Sequence, residues 1–180
     1  MAPLLTLGAM VLGWLAYLVL ERVRLERDRR KVPLRIAVTG TRGKTTVARR
    51  LAAVLREDGR KVLAKTTGSE ATYLLPDGTV QEISRLGPPS IIEQKRLLRR
   101  GAKLGVDVVV GEVMSLHREN HRVELHEILQ PHLVLVTNFR VDHTEAQGNT
   151  REDVASVLAL DVPSGATALV PEEEWDEGFA

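Results

Sequence analysis

The chain has 180 residues, no cysteine, and 25 Lys and Arg against 24 Asp and Glu, for a formal net charge of +1. Disulfide scaffolds are thereby excluded, and with 3% aromatic residues and no interleaving of basic with aromatic positions a nucleic-acid platform has little support. Roughly 150 residues beyond the N-terminal segment suffice to bury a core of their own.

Leu4 to Leu20 is apolar without a single charge and carries Trp14 and Tyr17, which predicts a membrane-spanning helix. At 1.5 Å per residue it reaches about 25 Å, slightly short of a hydrocarbon core of roughly 30 Å, so flanking arginines must snorkel or the bilayer thin locally. A cleaved signal peptide is the rival reading. No Lys or Arg precedes the run, and no small-x-small cleavage site follows it. Glu21 to Lys31 follows instead, with six positive and three negative side chains. The positive-inside bias places this basic collar in the cytoplasm, predicting a single-pass protein of the cell membrane with its larger part cytoplasmic.

Strands and helices then alternate. A strand is predicted over 34–39, a helix over 44–58 stopped by Gly59, and a strand over 61–66. A small hairpin follows, with 71–75 and 79–83 around the turn Pro76-Asp77-Gly78. A helix over 90–103 has Ser90 and Glu93 as a capping box and Ile91, Ile92, Leu97, Leu98 and Leu104 as its apolar stripe. Next come a strand over 107–113, a polar helix near 118–129, a strand over 132–137, a helix over 151–160 capped by Thr150 and Asp153, and a strand over 166–170. The alternation predicts an α/β fold, a doubly wound, mostly parallel sheet preceded by the N-terminal transmembrane helix.

The segment Arg35 to Thr46 runs from an apolar strand through a glycine turn into a helix start. Gly40 and Gly43 let the backbone turn its N–H groups inward, and the helix dipole near Lys44 adds positive potential, so a polyphosphate is the natural guest. Lys44 bridges the outer phosphates in this reading, and Thr45 or Thr46 holds Mg²⁺. The ordinary P-loop pattern fails at its first glycine, where this chain has Val38, leaving T-G-T-R-G-K-T-T. Two further strand ends carry chemistry. Glu112 closes Asp107-Val108-Val109-Val110-Gly111, at the position in an open α/β sheet where ligands bind, and Thr137 to His143 follows Leu133-Val134-Leu135-Val136.

The order of T-G-T-R-G-K-T-T, the strand ending in Glu112, and T-N-x-x-x-D-H resembles the ATPase domain of the Mur ligase superfamily and of folylpolyglutamate synthases. The anchor, Lys65-Thr66-Thr67-Gly68, Gly87-Pro88-Pro89-Ser90-Ile91-Ile92-Glu93-Gln94-Lys95 and Asp142-His143 are most similar to the poly-γ-glutamate synthase (capsule biosynthesis) ligase subunits. The resemblance implies a Mur ligase central-domain fold. It further implies an ATP-dependent ligase that joins a glutamate γ-carboxylate to an amine through an acyl phosphate. ATP is then held by Gly40, Thr41, Arg42, Gly43, Lys44, Thr45, Thr46 and Asn138. Thr45 and Glu112 hold Mg²⁺, for which Mn²⁺ can substitute, while His143 holds a second metal or the acyl phosphate. Lys44 and His143 are the catalytic pair. The implied partners are glutamate, poly-γ-glutamate, the membrane, and other membrane subunits of a polymer synthase or export complex.

Two departures accompany the resemblance. Many Mur ligases place a carbamylated lysine about fifteen residues past the equivalent of His143, where this chain has Leu158. The superfamily also has a C-terminal domain, and this chain reaches Trp175 soon after its last strand. The expected organisation is an anchor over 1–20, a basic juxtamembrane linker over 21–33, and an ATP-binding domain over 34–180 without that C-terminal domain. Among the remaining residues, His117 and His121 mark a solvated helix face, because a zincin would need Glu directly after the first histidine. Lys65, Thr67, Arg85, Gln94 and Lys95 are candidate contacts for an anionic substrate, or else simply solvated. His126 and His132 have surface or packing roles.

Overall fold

Parallel strands buried on both faces read as continuous apolar runs, and such runs form the centre of the sheet in the computed structural model, which describes residues 2–68, 70–85 and 87–174. Met1 and the end of the predicted domain from Trp175 onward lie outside the described residues. The strands are β1 (Leu34–Thr39), β2 (Val62–Thr66), β3 (Thr72–Leu74), β4 (Val80–Glu82), β5 (Val108–Glu112), β6 (Leu133–Val136) and β7 (Thr167–Leu169), in the spatial order β4-β3-β2-β5-β1-β6-β7. All pairs are parallel except β2–β3 and β3–β4, which are antiparallel. Register sets the site: Val38 lies beside Glu112 and Thr39 beside Val136, so three strands end level with one another.

Helices cover both faces, as the doubly wound reading expects. They are α1 (Ala2–Arg30), α2 (Lys44–Glu57), α3 (Glu93–Leu104), α4 (Arg118–Arg122), α5 (Thr144–Gln147) and α6 (Arg151–Leu158), and a π-helical stretch, Val123–Leu129, continues α4. Helix α2 buries Ala48 and Ala52 against Ile36, Val38, Val108 and Val110. On the opposite face Leu97, Leu98, Leu125, Leu129 and Val154 pack on Ala37, Leu63, Val109 and Val134.

Helix α1 runs unbroken through the predicted anchor and the basic segment after it, and it is long and apolar enough to cross a membrane. Every residue from Leu4 to Leu20 is exposed, whereas Leu25, Asp28 and Arg29 are buried. The Arg29 guanidinium donates to the carbonyls of Glu127 (3.2 Å) and Ile128 (3.5 Å). The basic segment is therefore a helical continuation fastened to the domain.

Several local expectations are corrected. The Ser90–Glu93 capping box does not form: α3 begins after Ile92 without a side-chain cap, and the Glu93 carboxylate faces two cations, which outcompete a neutral backbone N–H. Ile92 and Leu104 are exposed at 54% and 41%, leaving Leu97 and Leu98 as the buried stripe. The four-residue helix α5 had no signal in the apolar pattern. The Thr150–Asp153 capping box on α6 is present in full.

Candidate active site: a phosphate loop clamped between strand ends

The turn after β1 is shaped by two glycines. Gly40 adopts φ 117°, and a Cβ there would lie 2.1 Å from Thr137 Oγ1, so the loop passes too close to the end of β6 for any side chain. Gly43 adopts φ 81° at the N-cap of α2, which aims the first turn of that helix into the loop.

The segment after β6 clamps the loop from one side. Asn138 O accepts from Thr41 N–H at 3.2 Å, Thr137 Oγ1 donates to Arg42 O at 2.7 Å, and Asn138 Nδ2 donates to the same carbonyl at 2.9 Å. Thr41 Oγ1 donates to Arg140 O at 2.7 Å, and Arg42 pairs with Asp142 at 3.1 Å. Asn138, Thr41 and Arg42 thus fix the shape of the loop.

The other side holds the carboxylate. Glu112 is turned inward, only 3% exposed, and accepts from Thr45 Oγ1 at 3.0 Å to each of its oxygens and from Thr67 N–H at 2.8 Å. A Cβ on Gly68 would lie 2.9 Å from Thr45 Oγ1, so this glycine keeps the approach open. Lys44 is half-buried and folds back onto its own loop, donating to Gly40 O (2.7 Å) and Thr41 O (3.3 Å). Burial pulls its ammonium below the ordinary lysine range, opposed by the field of Glu112 and then of Asp161, Asp142 and Glu124. Thr46 is exposed on α2.

His143 makes no hydrogen bond or ion pair to Thr45 or Glu112. It caps α5 in the left-handed region at φ 49°, its side chain is 45% exposed, and its ring nitrogen lies 3.9 Å from Glu145. Among the described residues no three His, Asp or Glu side chains converge as a metal site. Thr45 and Glu112 are brought together as the sequence reading expects, and His143 does not join them. A carboxylate beside a hydroxyl is nevertheless a hard-oxygen pair that suits Mg²⁺.

Behind the loop lie buried polar groups, among them His121, which the sequence reading placed on a solvated helix face. His121 is 1% exposed with Nδ1 at 2.7 Å from Asp161 Oδ1, and the other Asp161 oxygen accepts from Thr39 Oγ1 at the end of β1. Glu124, fully buried, receives Gln94 Nε2 at 2.6 Å, Ser115 N–H at 3.0 Å and the Ser115 hydroxyl, and burial pushes its carboxyl above the ordinary range. Gln94 Nε2 also donates to Glu112 O at 3.0 Å, tying this network to the end of β5.

The candidate substrate cations are likewise engaged. Lys65 is fully buried at 3.2 Å from Glu93, Arg85 reaches the same carboxylate at 2.7 Å, and Lys95 pairs with Glu21 at 2.8 Å. His126 Nε2 contacts Leu160 O, and His132 Nδ1 accepts from Arg35 N–H, in keeping with packing roles.

The profile of the Mur ligase middle domain matches residues 38–160, from the last turn of β1 through α6. The chain belongs to that family. Among characterised relatives, PGA synthase CapB of Bacillus subtilis (strain 168) is 28% identical over 163 residues, covering 89% of this chain and 42% of the relative. The capsule biosynthesis protein CapB of Bacillus anthracis is 27% identical over 150 residues, covering 82% and 32% respectively. Among solved structures, E. coli FolC in complex with ADP superposes with a TM-score of 0.61 at 26% identity, covering 93% of this chain and 46% of that one. The chain thus spans less than half the length of each.

The metal reading has a direct check. Glu112→Gln should weaken Mg²⁺-ATP binding at least about tenfold while leaving metal-free ATP binding close to the parent, because the change removes charge at nearly constant shape. Calorimetric titration with and without Mg²⁺ measures both, and equal affinities in parent and variant would remove Glu112 from a metal role.

Proposed function

We propose that the protein is an ATP-dependent amide ligase acting on a glutamate γ-carboxylate, in poly-γ-glutamate synthesis, tethered to the cell membrane by α1 with its catalytic domain in the cytoplasm. The observation that carries this reading is the meeting of Thr45 and Glu112 across the mouth of a glycine-shaped phosphate loop, within the segment that matches the Mur ligase middle domain. The similarity to the CapB proteins supports the polymer, and the similarity to FolC with ADP supports the nucleotide.

A carboxylate is a poor acyl donor because oxide is a poor leaving group. Phosphorylation by ATP removes that obstacle: the γ-phosphoryl passes to the γ-carboxylate, an amine attacks the acyl carbon and loses a proton, and inorganic phosphate departs. The N–H groups of the first turn of α2, Lys44 to Thr46, and the Lys44 ammonium, released from the Gly40 and Thr41 carbonyls, neutralise charge on the transferred group. Mg²⁺ held by Thr45 and Glu112 would supply Lewis-acid neutralisation of the phosphates. Asn138, Thr41 and Arg42 keep the loop in shape for the nucleotide. His143, apart from Glu112, is assigned to the acyl phosphate. Glutamate, its polymer and further membrane subunits are the proposed partners.

Two products test this reading. The natural protein in its membrane should release ADP only when glutamate is added, and hydroxylamine should intercept the activated acyl group as a γ-glutamyl hydroxamate. Glutamate-independent ADP release without hydroxamate would replace the ligase with a simple ATPase.

A further inference from the structure

The direction in which α1 crosses the domain fixes which end of the sheet meets the bilayer. Glu21 pairs with Lys95 at 2.8 Å near the start of α3, and Asp28 lies 3.8 Å from Arg99 one turn further along. Val32, just past the end of α1, stands against Gly101, where a Cβ would be 3.4 Å from its methyl carbon. The two helices therefore descend side by side in the same sense. Helix α3 starts where Gln94 donates to the carbonyl of Glu112, at the carboxyl end of β5, and finishes at Leu104, shortly before the amino end of that strand at Val108. Both helices thus run antiparallel to the central strands.

Glu21 to Arg30 spans about 14 Å, close to the roughly 17 Å of a five-residue strand, so these ten residues lie level with the sheet. The exposed run Leu4 to Leu20 continues the same unbroken helix past the carboxyl ends of the strands, the end that carries the phosphate loop and Glu112. A cavity of about 480 Å³ marks the level of transition, with Leu18 and Ile91 beside Arg22 and Lys95 in its lining. The exposed apolar run gives way there, within one helical turn, to the ion pairs Arg22–Glu127 and Lys95–Glu21, as apolar side chains give way to charged ones at a bilayer boundary.

We infer that the phosphate-loop end of the domain faces the lipid bilayer, so that nucleotide enters and product leaves through the layer of water against the headgroups. This rests on reading α1 as a membrane anchor and residues 40–46 as the reactive loop. A tilt of α1 within the usual range of 0–40° changes the gap and not the sign of the orientation. The loops after β1, β2, β5 and β6 are near the membrane, and those before β2, β5, β6 and β7 lie about 15 Å or more further away.

The absence of cysteine makes the test clean. Single substitutions Leu116→Cys and Val141→Cys mark exposed loops at the carboxyl ends of strands, while Asp58→Cys and Ser164→Cys mark the opposite end. Each variant of the full chain is labelled with a fluorophore and reconstituted in vesicles that carry a quencher on their headgroups. The labels at 116 and 141 should be quenched at least twofold more than those at 58 and 164. Equal quenching, or the reverse order, in protein that floats with the vesicles overturns the orientation. Protein that does not float with neutral vesicles overturns the anchor reading and the orientation with it, and the hydroxamate assay reports on the ligase reading independently of both.

Discussion

Lys44→Ala is expected to abolish ATP turnover, by at least about 100-fold, while the domain stays folded. The ammonium is half-buried and held by two carbonyls of its own loop, so the charge proposed to meet the transferred phosphoryl group is already at the loop and partly stripped of water. Its hydrogen bonds to Gly40 O and Thr41 O contribute only about 1 kcal/mol each to folding, and burial already disfavours the charged form, so truncation relieves a cost as it removes a contact. Turnover measured beside circular dichroism separates the two effects. A variant that keeps both its fold and its turnover would remove Lys44 from the chemistry.

Glu93→Gln is expected to destabilise the protein by about 3 kcal/mol, because it removes the carboxylate that compensates the fully buried Lys65. Burial pushes the Glu93 carboxyl upward, yet the hydrogen bonds and charges of Arg85 and Lys65 outweigh it and bring the group from 4.5 down to about 2. A carboxylate whose folded value lies below its unfolded one stabilises the fold in full above the unfolded value, here near 4.5, and loses that contribution as the pH falls through about 2. The gap in melting temperature between parent and variant should therefore be large at pH 6 and shrink steadily between pH 4.5 and 2. A gap independent of pH would mean that the ion pair is not what Glu93 contributes.

These residues also mark where sequence reading reached and where it stopped. The central strands were legible because burial on both faces leaves no room for polar alternation, as in Leu133–Val136, and the phosphate loop because a close backbone approach demands Gly40. Glu112 was legible from its place at a strand end. Glu93 was misread as a helix cap, since the local spacing from Ser90 is right and only the fold brings Lys65 and Arg85 to it. His121 was misread as solvated because a polar side chain satisfied by a distant Asp161 looks, in one dimension, like one satisfied by water. The inward turn of Lys44 depends on the local path of the loop carbonyls, which residue types alone do not specify.

The π-helical stretch Val123–Leu129 carries a consequence for how this chain tolerates insertion and deletion. Its wider winding accommodates one residue more than an α-helix would over the same rise. His121 and Glu124 at one end and Ile128 and Leu129 at the other all face inward. Losing a single residue between them would return the segment to ordinary winding over the same rise and keep both ends in phase, whereas one added residue would rotate one half against the other by about 100°, expelling either the polar pair or the apolar pair into water. Exchanges of side chain on the outer surface, as at Val123 or Glu127, leave that phase untouched. The segment has already absorbed one extra residue, so it can lose one more readily than it can gain another.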